Sequence, residues 1–84
     1  MISKLYSIRD RKAEFYGTPF ASVSDVTAQR DFFAYCKMPN NAYISGDLEL
    51  YYVGEIESLN GIVTLPDNGL PRFICNYSEV LDGE

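Results

Sequence analysis

Apolar and polar positions alternate most clearly over Asp47–Leu65, DLELYYVGEIESLNGIVTL. Leu48, Leu50, Tyr52 and Gly54 fall on one side, and Glu49, Tyr51, Val53, Glu55 and Glu57 mostly on the other. Side chains alternate across a strand, so this pattern predicts one face against a core and an acidic edge toward water. Asn60-Gly61 predicts a tight turn that folds the strand back, because both residues accept positive φ. Ile2–Arg9 alternates in the same way, with Ile2, Lys4, Tyr6 and Ile8 on one face and Ser3, Leu5, Ser7 and Arg9 on the other. Ala13–Ala21 is aromatic but interrupted by Gly17 and Pro19, and proline cannot donate to a ladder. This segment reads as a short, broken edge strand.

The period changes at Asp25–Lys37. Val26, Ala28, Phe32, Phe33 and Cys36 fit one apolar sector of a helix. Ser22 and Ser24 are available as caps, and Met38-Pro39 ends the element. Pro66-Asp67-Asn68-Gly69 predicts a second turn, and Arg72–Tyr77 a last strand with Phe73 and Cys75 on one side. The expected order is β-β-α-β-β-β: a single α+β domain over residues 1–84, with a mainly antiparallel sheet of four to five strands and one helix on one face. Residues 78–84 are acidic and are expected to fray.

Composition narrows the chemistry. With 84 residues there is room for one core. Cys36 and Cys75 follow no signal peptide, which favours two buried free thiols in a cytoplasmic protein. No apolar run reaches membrane-span length, so no membrane partner is expected. The net charge of −5 is uneven: residues 1–38 carry six Lys/Arg against four acids, and residues 39–84 carry one against eight. There is no histidine, which removes the commonest general base and metal ligand. The cysteines form no CxxC pair, and the glycines form no phosphate loop. Neither an enzyme, a metal site nor a cofactor is expected.

Two surfaces remain as candidates. Tyr6, Arg9, Arg11, Lys12 and Tyr16 interleave rings and cations, a pattern that suits single-stranded nucleic acid, where bases stack and cations track phosphates. The same residues also read as core rings beside a decorated turn. Arg30 and Lys37 on the helix could extend a basic face. The acidic half, with Glu49, Glu55, Glu57 and Glu79, could instead dock on a basic protein, even as an imitation of DNA charge. Seven tyrosines in so short a chain also favour a homodimer.

Leu5–Glu14 (LYSIRDRKAE), Pro19-Phe20, Ala28-x-Arg30-Asp31-Phe32 and Leu48–Gly61 (LELYYVGEIESLNG), in this order and spacing, resemble the small nonstructural protein of gokushoviruses. These are Microviridae, phages with small circular single-stranded DNA genomes. The resemblance covers about Lys4–Val63; Gly46-Asp47 and the tail after Gly69 depart from it. It implies a protein of the host bacterial cytoplasm, absent from the mature virion. It would act in viral DNA replication by binding single-stranded DNA or a viral or host replication protein. The family supplies no catalytic residue to carry over, and the charged Asp10–Lys12 turn is the expected functional surface.

Overall fold

The computed structural model describes residues 1–77; the expected fraying of 78–84 and the position of Glu79 lie outside them. The chain runs β1 (Ile2–Asp10), β2 (Phe15–Tyr16), β3 (Phe20–Ser22), α1 (Asp25–Cys36), a 3-10 turn (Ser45–Asp47), β4 (Leu48–Glu57), β5 (Val63–Thr64) and β6 (Arg72–Asn76). This is the α+β architecture expected, with a six-stranded antiparallel sheet. The long pair β1/β4 forms its centre, in register from Ile2 opposite Glu57 to Asp10 opposite Leu48. β4 occupies one edge of β1, so β2 and β3 share the other. In the same way β5 and β6 share the outer edge of β4. The broken strand at Ala13–Ala21 is therefore two short strands on either side of Gly17 and Pro19.

Helix α1 starts at Ser24, whose hydroxyl accepts from the Thr27 N–H at 3.2 Å and satisfies one orphan donor of the first turn. Its Ala28, Phe32 and Cys36 are buried at helical spacing against Tyr6, Leu48, Leu50 and Cys75 of the sheet. Val26, expected in this apolar sector, is instead 69% exposed, because the helix turns it away from the sheet. Asp25 ties the helix start to the sheet: it accepts from the Tyr6 hydroxyl and lies 3.5 Å from the Arg72 guanidinium. At the far end, the buried Asn41 amide donates to the Tyr35 carbonyl at 2.9 Å and holds the loop under the helix.

Three details correct the strand pattern. The hairpin turn spans Ser58–Gly61, with the Gly61 N–H on the Glu57 carbonyl at 2.7 Å. Only Gly61 takes positive φ (+73°), so Asn60-Gly61 is not a two-residue tight turn. Val53 is an extra residue in β4, since Leu5 faces Gly54 while Tyr6 faces Tyr52. Gly54 therefore lies opposite Leu5, with φ +144°, and an added Cβ would stand 2.6 Å from the Thr64 carbonyl oxygen of β5. The backbone of the hairpin, rather than the helix, demands this glycine. Ile74 is likewise extra in β6: Cys75 faces Leu50 under the helix, and Phe73 faces Tyr51 on the other side. The bulge at Ile74 thus rotates Phe73 out of the core face expected for it.

Candidate nucleic-acid interface

The helix covers one face of the sheet, and among the described residues the other face is open. In β1, Ser7 and Arg9 point to the open face, opposite Tyr51 and Glu49 of β4. β2 places Tyr16 beside Arg9, and β6 places Phe73 beside Tyr51. Three rings from three strands therefore form a row. Tyr16 and Tyr51 have ring centroids 5.3 Å apart at 76°, and Tyr51 and Phe73 5.6 Å apart at 73°. These are edge-to-face contacts, the arrangement that aromatic quadrupoles favour. The outer two rings, Tyr16 and Phe73, are each 44% exposed. The Arg9 guanidinium lies 5.7 Å from the Tyr16 ring centroid and pairs with Glu49 at 3.2 Å. Burial, and then the nearby Glu49 charge, raises the Tyr51 hydroxyl above its ordinary range, so it stays a neutral donor at physiological pH.

The β1–β2 turn frames one end of this row. The Asp10 carboxylate accepts from the N–H groups of Lys12 and Ala13, both at 3.0 Å, and Glu14 takes positive φ to close the turn. The turn proposed as a functional surface therefore also has a structural task in Asp10. Arg11 is also engaged: its backbone N–H donates to the Asp47 carbonyl, and its guanidinium lies 3.6 Å from the Asp47 carboxylate. Lys12 is exposed and makes no ion pair among the described residues.

The sequence-derived site thus divides. Arg9 and Tyr16 come together on the open face, with Lys12 at the adjoining turn. Tyr6 is a core residue with no accessible surface and cannot stack on a base. Burial and the hydrogen bond to Asp25 hold its hydroxyl far above the usual tyrosine range. Arg30 is exposed on α1 and Lys37 caps the C-terminus of that helix, so both belong to the layer on the opposite face. Of the acidic set, Glu49 lies on the open face and is paired with Arg9, while Glu57 pairs with the Met1 amine at 2.6 Å, which lowers its pKa. Glu55 stands opposite Lys4 and Thr64. The acids are spread along β4 rather than gathered. Tyr51 and Phe73 are the residues that the sequence pattern missed.

Cys36 and Cys75 are free and buried, and burial pushes the Cys36 thiol up to about 12. Among the described residues no three Cys, Asp or Glu side chains gather as metal ligands, and no helix is long and apolar enough to cross a membrane. A cleft of about 490 Å³ lies on the helix side, lined by Ile8, Phe15, Phe20, Tyr35 and Leu48 among others. Its walls are mainly apolar.

The fold is thus a small α+β domain, an antiparallel sheet with one helix on one face and a row of rings on the other. The chain matches the model of the Phage ORF5 protein family over residues 3–80, nearly its whole length, and belongs to that family; it is a small phage protein. No curated protein and no solved structure matches it significantly.

Proposed function

We propose that this phage protein binds single-stranded DNA on its open sheet face during replication of a single-stranded DNA genome of the gokushovirus type. The observation that carries this reading is the row Tyr16–Tyr51–Phe73, exposed on a face that no other element covers among the described residues. Bases stack on the accessible rings of Tyr16 and Phe73, and Tyr51 holds the two at a fixed spacing. Arg9 and Lys12 at one end of the row attract the phosphates. With so few cations, stacking supplies most of the affinity, so salt dependence is shallow: about two phosphate contacts give a slope near −1.4 on a log–log plot. The protein acts without catalysis, in the bacterial cytoplasm, and stays out of the virion.

The test is anisotropy of a labelled single-stranded oligonucleotide. Phe73→Ala and Tyr16→Ala are each expected to weaken binding by about tenfold or more, since a stacked base is worth about 1–3 kcal/mol. Both side chains are partly exposed, so the fold survives and the far-ultraviolet spectrum is unchanged. Unaltered binding in both variants, or none by the native chain at low salt, would overturn the reading.

A further inference from the structure

The ring row occupies only one end of the open face. β1 has no extra residue, so Ser3, Leu5, Ser7 and Arg9 all point to that face. The register then sets two further rows beside the rings. Ala21 of β3, Leu5 of β1 and Gly54 of β4 lie opposite one another, and so do Ser3 of β1, Ile56 of β4 and Val63 of β5. Leu65 follows Val63 by two residues, and its Cα comes within 3.7 Å of the place a Gly54 Cβ would take. Val63 is 53% exposed and Leu65 65%, and neither they nor Leu5 and Ile56 belong to the core under the helix. Rings and aliphatic side chains therefore form one surface along β1 and β4. A solvated sheet face ordinarily carries polar residues, and an apolar one marks a contact.

Nucleic acid accounts for only part of this surface. The aliphatic rows offer no ring to a base and no cation to a phosphate. Charge and area select what covers them. The chain carries a net charge of −5, so a second copy can approach only where the acids stay apart. The open face meets that condition: among the described residues its charged side chains are Arg9 and Glu49, which neutralise each other at 3.2 Å. Lys4 and Glu55 lie one ladder position away and point to the helix side, where Arg72 is tied to Asp25. A strongly basic or acidic partner would find no unpaired opposite charge here. β1 and β4 pair over nine residues each. At about 3.3 Å per residue along the strands and about 4.8 Å between strands, a face four strands wide measures about 600 Å². Specific interfaces begin at about that area per partner. A pair of copies therefore needs the whole face of each, rings included.

We infer that the open face is the interface of a homodimer in which two sheets pack face to face. A twofold axis sets the ring row of each copy on the aliphatic rows of the other, with Tyr16 and Phe73 over Leu5, Ile56 and Val63. Rings and aliphatic side chains fill the middle of the contact, and the Arg9–Glu49 pairs stay at its wet rim. The contact is small for a dimer, so association is weak and reversible. A second copy and a DNA strand claim the same rings, and each displaces the other. This competition rests on the DNA reading; the dimer does not.

Sedimentation equilibrium of the full chain, without DNA, tests the dimer. A reversible monomer–dimer equilibrium is expected, with dissociation in the micromolar range or above. Val63→Glu combined with Leu65→Glu replaces two exposed side chains and places acids on the neutral face; it is expected to weaken association by about tenfold or more. Val23→Glu combined with Val26→Glu adds the same charge at exposed positions around the start of α1 and is expected to leave the dimer intact. A far-ultraviolet spectrum checks the fold of each variant. A labelled single-stranded oligonucleotide added to the native dimer is expected to release monomers as it binds. A chain that stays monomeric at millimolar concentration would overturn the inference. So would a dimer that survives Val63→Glu with Leu65→Glu, or an equal loss in the two charge variants. An oligonucleotide carried on an intact dimer would overturn the shared face. An oligonucleotide that binds neither form would remove the DNA reading alone and leave the dimer standing.

Discussion

The two faces of the sheet come from the same strands, and both carry rings, yet they do different things. Beneath α1, Tyr6, Leu48, Leu50 and Cys75 are between 0% and 4% exposed and close on Ala28, Phe32 and Cys36. On the reverse, Tyr16 and Phe73 remain 44% exposed, with no other described element packed over them. Antiparallel sheets with one solvated face ordinarily alternate apolar-in and polar-out. Here the outward positions at the centre of the sheet hold a row of aromatics. The covered face accounts for folding, so the rings on the other face are available for contact.

That division is sharpest in a pair of substitutions of one residue type. Phe32→Ala empties a fully buried site and is expected to cost about 3–5 kcal/mol. In a domain this small that is most of the stability. Phe73→Ala should cost under about 1 kcal/mol, because much of the ring already meets water. Urea denaturation of both variants checks this. Similar losses would mean that the open face contributes to folding as the core does, and the comparison between faces would fail.

How far the sequence reveals this arrangement depends on the distance over which each feature is encoded. Period-two alternation identifies β1 and β4, and the Ser24 cap with Ala28, Phe32 and Cys36 identifies α1, because those signals are local. Gly17 and Pro19 reveal the broken edge. The bulges at Val53 and Ile74 leave no comparable mark, since an extra residue shows only against a paired strand. Strict alternation therefore assigns Phe73 to the side of Cys75. The ring row is encoded least of all: Tyr16, Tyr51 and Phe73 lie far apart in the chain and meet only across β2, β1, β4 and β6. Tyr6 is different. Alternation already sets it with Ile8, across from Arg9, so the local pattern contained the signal that excludes it from a site with Arg9.

Alkaline pH probes the covered face. The Cys36 thiol is raised by burial to about 12, and the Tyr6 hydroxyl is raised by burial and by Asp25. Above about pH 9 the unfolded chain releases the Cys36 proton while the folded chain retains it. The unfolded state then binds fewer protons, so stability falls as pH rises, by about 1.4 kcal/mol per unit for a fully shifted group. Tyr6 adds to the fall above about pH 10. Denaturation midpoints measured from about pH 8 to pH 11 should decline, and Cys36→Ala should flatten the first part of the decline. A native chain that is level through this range would show that these groups are not held in their neutral forms by the core.

The smallest expected effect separates the two kinds of partner for the open face. Glu49 pairs with Arg9 at 3.2 Å beside the ring row, and a partly exposed pair of this kind contributes at most about 1 kcal/mol to folding. Glu49→Gln should therefore leave the denaturation midpoint almost unchanged. For a DNA strand lying on Tyr16, the substitution removes a negative charge and frees the Arg9 guanidinium for phosphate. A unit charge about 5 Å away in water is worth about 0.8 kcal/mol, so the oligonucleotide should bind about fourfold tighter at low salt. A basic protein docking on the same face would respond in the opposite direction, because it loses an acid to pair with. The sign of the change, read in one anisotropy titration, therefore tells whether phosphates or cations approach the row. An affinity that falls with Glu49→Gln would remove DNA from the open face.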